Sequence, residues 1–144
     1  YISQNFKIAF GQHSGIIDIN KNKFELPRFP INEKYGEIKR FKSIINYFPL
    51  EYKRILPEEK QLFENTNPPN FKVEFFKEQK NLSNINCYSN EGDVWDKSKT
   101  TFANNSLTIE FREPFKPRRG RINCSLNDNG KWRWFGVQFP IKEN

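Results

Sequence analysis

Residues 6–17, FKIAFGQHSGII, and residues 24–41, FELPRFPINEKYGEIKRF, decide how this chain is read. Phe6, Ile8 and Phe10 alternate with Lys7 and Ala9, which is strand spacing. Gly11 and Gly15 bracket a tight loop that holds Gln12, His13 and Ser14. Ile16 to Ile19 reads as a short extended piece, and Phe24 to Leu26 as a further strand, stopped by Pro27 and Pro30. Asn32 can cap the turn that follows. Ile38, Phe41, Ile44, Ile45 and Phe48 then fall at helical spacing until Pro49 ends the helix. Short strands and a helix, with polar side chains parked at the strand ends, form the pattern of the end of an α/β enzyme domain. The chain has no methionine and opens at Tyr1 in the middle of that pattern, so the expectation is a fragment or a processed piece.

Working outward, residues 50–70 carry Pro57, Pro68 and Pro69, many charges and no sustained period. They read as a linker over 51–70, with a short helical turn near Glu58 to Phe63 and a boundary at Pro68-Pro69. From Phe71 the period becomes two. Phe71, Val73 and Phe75 alternate with Lys72 and Glu74; further runs follow at Ile85–Cys87, Val94-Trp95, Leu107–Phe111, Ile122–Leu126 and Trp132–Phe139. Asn129-Gly130 is a hairpin turn signal between the last two. Short strands separated by turn chemistry predict an antiparallel β-sandwich over 71–144. Cys87, Trp95 and Cys124 follow the immunoglobulin Cys–Trp–Cys order at shorter spacing, so the expectation is an immunoglobulin-like sandwich. The fold class is therefore mainly β, with a small α/β remnant over 1–50 in front.

Composition sets outer bounds. Of 144 residues, 16% are aromatic and 15 are Phe, enough to build a core. No apolar run approaches the roughly 20 residues of a membrane helix, so no membrane span is expected. The formal charge is +7, with Lys and Arg spread along the chain among Glu and Asp. Arg112, Lys116, Arg118, Arg119 and Arg121 are the densest cluster and read as a solvated loop between strands. No zinc-finger spacing, RNP-type motif or basic helix accompanies them, so no nucleic-acid partner is expected. Cys87 and Cys124 are the only cysteines and each sits in a strand-like run. They form either one disulfide or two buried free thiols. If bonded, the closed loop would stabilise the fold by roughly 3–4 kcal/mol on the chain-entropy account. With one histidine they are too few for a zinc site.

AFGQHSGII, then LPRFPIN, then YGEIKRF resembles the C-terminal end of the polysaccharide deacetylase domain, the NodB-homology barrel of carbohydrate esterase family 4. INCYSN, GRINCSL and KWRWFGVQF resemble the β-sandwich that follows the barrel in one subgroup. The resemblance implies a deformed (β/α) barrel over 1–50 and its missing remainder. It also implies a hydrolase of carbohydrate metabolism that removes acetyl groups from N-acetylated polysaccharides with a divalent metal, usually zinc. In the family one Asp and two His hold the metal, a second Asp is the base and a late His the acid. This sequence has no HxxxH, no Asp-Asp pair and only one histidine. No metal site is therefore expected here, and zinc belongs to the parent enzyme. The chain alone should be inactive.

Two strand ends remain, and in α/β barrels sites gather where strands finish. His13 follows one strand and Arg28 the other. If the resemblance holds, both line the sugar-binding mouth, His13 as a hydrogen-bonding group or proton donor and Arg28 as an orienting fork. Each has an ordinary alternative: for His13 a loop histidine without a role, and for Arg28 a structural ion pair or helix-end contact. Trp132 and Trp134 lie on one face of the last run, with Phe135, Val137 and Phe139 in the other phase, which suggests a bulge or a strand buried on both sides. These two tryptophans could bind sugar rings or serve as core. Three functions compete: the C-terminal part of a deacetylase, a non-catalytic carbohydrate-binding or domain-docking sandwich, and a structural domain. Residues 1–50 would leave a barrel wall unpaired, so they should lean on the sandwich, pair with another copy, or stay partly unfolded. No compartment follows from the sequence, although the resemblance is compatible with the periplasm or cell envelope.

Overall fold

The computed structural model describes residues 1–116 and 118–142; the ends of the expected 71–144 domain at 143–144 and its residue 117 lie outside them. The chain is mainly β and forms two sheets. Among the described residues nine strands follow in order: β1 Phe48–Pro49, β2 Arg54–Leu56, β3 Lys72–Glu74, β4 Asn86–Ser89, β5 Asp96–Lys97, β6 Lys99–Ala103, β7 Ser106–Glu110, β8 Arg119–Asp128 and β9 Lys131–Pro140. The five-stranded sheet runs β1-β9-β8-β4-β5 and the four-stranded sheet β2-β3-β7-β6.

The β8–β9 hairpin is the spine. Its ladder is continuous over ten pairs, from Arg119↔Pro140 to Asp128↔Lys131. Asn129 and Gly130 both take positive φ at the turn, as a two-residue hairpin connection requires. No bulge interrupts the ladder, which corrects one of the two expectations for Trp134. Simple alternation accounts for the pattern: Phe135, Val137 and Phe139 are buried, while Trp132, Trp134, Gly136 and Gln138 have the opposite parity. On β8, Ile122, Cys124 and Leu126 are buried and Arg119, Arg121 and Asn123 face the other way. The buried residues of both sheets join one apolar cluster with Val73, Leu107 and Ile109. Phe71, beside β3, meets Phe139 of β9 edge-on at 6.1 Å.

The expected linker at 51–70 is part of the fold. Arg54–Leu56 pairs antiparallel with β3, and Leu50, Ile55 and Leu62 are buried in the common cluster. These apolar residues show no period because each anchors a separate short piece of chain. The helical turn lies at Glu64–Thr66, after the expected place. The Cys87–Cys124 pair is a disulfide, and the two residues stand directly opposite each other on β4 and β8. It therefore joins neighbours within one sheet. Trp95 is 42% exposed rather than packed on it, so the Cys–Trp–Cys order does not reproduce the immunoglobulin arrangement of an inter-sheet bond against a buried tryptophan.

Of residues 1–47, Gln12, Ser14, Gly15, Phe29 and Tyr47 touch β8 and β9. A short helix α1 spans Ile2–Asn5 and a second, α2, spans Ile38–Ile44. The two strands expected at 6–10 and 24–26 reduce to one parallel bridge, Phe10↔Leu26, supported by Ala9 N–H to Lys23 O, Leu26 N–H to Ala9 O and Gly11 N–H to Leu26 O. Three side chains tie this segment down. Phe29 meets Trp134 edge-on at 5.4 Å, the Lys21 ammonium donates to the Tyr52 carbonyl at 2.7 Å, and Lys60 pairs with Glu25 at 3.2 Å. Of residues 1–50, the loop around Ser14 and Phe29 leans on the β part, while Phe48–Pro49 pairs with β9 as a strand of its sheet and Leu50 enters the common core, so the expected boundary at 50 does not hold.

Candidate functional site

A cavity of about 220 Å³ opens between the loop that follows Phe10 and the edge of β9. Its position has a local cause. β1 is two residues long, so β9 beyond Trp134 has no strand partner on that side, and the loop closes over the gap. The loop can approach because residue 136 is glycine: the Ser14 carbonyl oxygen occupies the space a Cβ at 136 would take. His13, Lys21, Glu25, Tyr52, Lys60 and Trp134 line the cavity.

His13 is 6% exposed. Its backbone oxygen accepts from the Arg28 amide at 3.0 Å, which fixes the loop, but its Nδ1 has no partner. Burial pulls the imidazole below its ordinary pKa, with Glu25 opposing and Lys60 adding to the shift. The ring is thus neutral at neutral pH and presents one unpaired nitrogen. Trp134 Nε1, a donor only, is also buried without a partner. Burial, then Asp18 and Glu25, push the Tyr52 hydroxyl up to about 12, so it stays protonated. The Lys21 ammonium lies 3.9 Å from the Tyr52 ring centroid. Such a lining suits a small neutral polar group, such as an amide or hydroxyl, which can satisfy both a donor and an acceptor.

The residues singled out by sequence are brought together only in part. His13 and Trp134 share the cavity. Arg28 is exposed on the other side of the loop, where its Nε donates to the Gly11 carbonyl at 3.2 Å and it borders a shallow groove with Phe10, Ile17, Phe29 and Phe41. His13 and Arg28 are therefore neighbours through backbone and not through one pocket. Trp132 is 41% exposed, and Tyr47 lies between the two tryptophans, stacked on Trp134 at 6.1 Å and tilted against Trp132 at 6.5 Å. Lys21, Glu25, Tyr52 and Lys60 were not legible as site residues, because only the folding of two distant segments onto each other makes them neighbours.

Among the described residues, no group of three His, Cys, Asp or Glu is placed to hold a metal ion. The single histidine faces one carboxylate and an ammonium, and both cysteines are bonded to each other, so the donor set does not fit a zinc site. No helix among the described residues is long and apolar enough to cross a membrane. No known protein family, no curated protein and no solved structure matches this chain.

Proposed function

We propose that this chain is the closing part of a polysaccharide deacetylase, in which residues 1–47 complete a barrel wall and the two sheets, β1 included, form a sandwich appended to it. The reading is carried by the parallel pairing of Phe10 with Leu26. All-parallel sheets occur almost only with both faces covered, because the crossovers place helices there, although parallel pairing by itself also joins β1 to β9 in this chain. Here Phe10, Ile8 and Phe6 remain exposed beside the bridge. The α2 stripe of Ile38, Phe41 and Ile45 is exposed as well, although a short helix draws most of its stability from burying such a stripe. A preceding set of barrel strands is what these surfaces would meet. The sandwich reading is supported by one apolar cluster shared by both sheets. It is immunoglobulin-like only in that loose sense, since the disulfide lies within one sheet.

In this account the metal and its ligands come from outside the chain, and the chain supplies positioning. Arg28 stands at the end of one paired segment with guanidinium donors left over after its bond to Gly11, suited to orient a carboxylate. The His13 carbonyl ties the loop to Arg28 in the segment after Leu26. The test is the mass and sequence of the intact gene product. The reading expects about 150–200 further residues upstream, with an HxxxH and an Asp, as a barrel of ordinary size needs. A gene product that begins at this chain would sink it.

A second reading, a non-catalytic carbohydrate-binding module, is favoured by one observation: Trp132 is exposed beside Tyr47 on the outer face of the five-stranded sheet. An aromatic face of that kind suits a sugar ring. Titration with chitin or peptidoglycan oligomers decides it, and an unchanged tryptophan signal would count against it.

A further inference from the structure

Arg119 and Arg121 of the arginine run share one surface with Trp95. Arg119 and Arg121 are two apart on β8 and project from the same outer face. The guanidinium of Arg121 lies 5.2 Å from the centroid of the Trp95 ring, which remains 42% exposed. Across the ladder the residues opposite are Pro140 and Gln138, neither of them acidic. Arg54, Arg112 and Arg133 each hold a carboxylate, at 2.7, 2.8 and 3.4 Å. Among the described residues, no carboxylate comes within salt-bridge distance of Arg119 or Arg121; Arg119 instead donates to the amide oxygen of Gln12. Burial first, then the charge of Arg119, weaken the hold of Arg121 on its proton, with Asp93 and Tyr35 opposing. Two arginines on one face, Arg121 partly withdrawn from water and neither in salt-bridge contact with a carboxylate, with Asp93 acting on Arg121 only from farther off, are an arrangement that an oxyanion stabilises.

We propose that Arg119, Arg121 and Trp95 form a binding site for an acidic saccharide, with the two arginines holding a carboxylate and the indole meeting the adjoining sugar ring. A paired guanidinium fork recognises a planar carboxylate, and an exposed indole beside it offers an apolar surface to the C–H face of a pyranose. The arginines and Trp95 belong to the five-stranded sheet and the loop before β5, so the site does not need the deacetylase reading, although Gln12 of the opening segment touches Arg119.

The experiment titrates the whole chain with an oligogalacturonate by calorimetry and by tryptophan fluorescence. The expected result is binding that weakens as salt is added. Arg119→Gln should bind at least about tenfold more weakly, the loss of one charge-assisted contact. Trp95→Phe should remove the fluorescence change, and Arg54→Gln, on the other sheet, should bind as the parent does. Circular dichroism confirms that the variants fold, and because Arg121 is the more withdrawn of the two, Arg119→Gln carries the test. The proposal is overturned if the parent chain does not bind, or if Arg119→Gln binds equally well. It is also overturned if a neutral oligosaccharide, inorganic phosphate or an oligonucleotide binds as tightly.

Discussion

The carbonyl oxygen of Ser14 sits where the Cβ of any larger residue at Gly136 would have to go. That contact lets the opening segment lie flat on the sheet, and it dictates the consequence of Gly136→Ala. The new methyl group meets backbone rather than a flexible side chain, so the loop must lift. The expected loss is about 1–3 kcal/mol, the usual cost of overpacking. Limited proteolysis should then cut between residues 11 and 29 while the β8–β9 hairpin survives. Unchanged protection of that segment would show that it is not docked through Gly136.

The disulfide closes a loop with a sequence separation of 37 between two buried strands. Replacing both cysteines with alanine, or reducing the bond, should lower stability by roughly 3–4 kcal/mol on the chain-entropy account, read from urea midpoints. Because the bond joins neighbouring strands of one sheet, the two sheets should still pack in the reduced protein under mild conditions. Separation of the sheets on reduction, seen as loss of near-ultraviolet ellipticity without urea, would contradict this placement.

His13 makes stability depend on pH in a definite direction. Burial depresses the folded-state pKa below the ordinary 6.5, so the unfolded chain binds more protons in the interval between the two values. The contribution is fully present above about 6.5 and is lost as pH falls towards the folded value. Thermal midpoints should fall between about pH 7.5 and pH 5.5, and the His13→Asn variant should show a smaller fall. An equal fall in both proteins would assign the effect to the carboxylates instead.

Sequence reading succeeded where a periodic signal coincided with a complete element. The runs at 71–75, 85–88, 107–111, 122–126 and 132–139 are β3, β4, β7, β8 and β9, and Asn129-Gly130 is their last turn. It failed at β1, β2 and β5, short pieces without the alternating flanks that Phe71 and Phe75 give β3, and at β6, whose five residues are all exposed and show no apolar alternation. The helix expected to reach Phe48 stops at Ile44, because Phe48 and Pro49 are drawn into pairing with Arg133 and Trp134. For the site, His13 and Trp134 were legible as residue types of interest, but their meeting was not. It depends on Gly136 and on the missing strand partner of β9, which only the packed chain reveals.

Acetate release from an N-acetylglucosamine oligomer tests the central claim most directly, measured with zinc present for this chain alone and for the product of its whole gene. The account predicts release by the whole product and none by the chain, whose described residues place no metal-holding group. Metal-dependent release by the chain alone, or a zinc-loaded whole product that releases none, would contradict it.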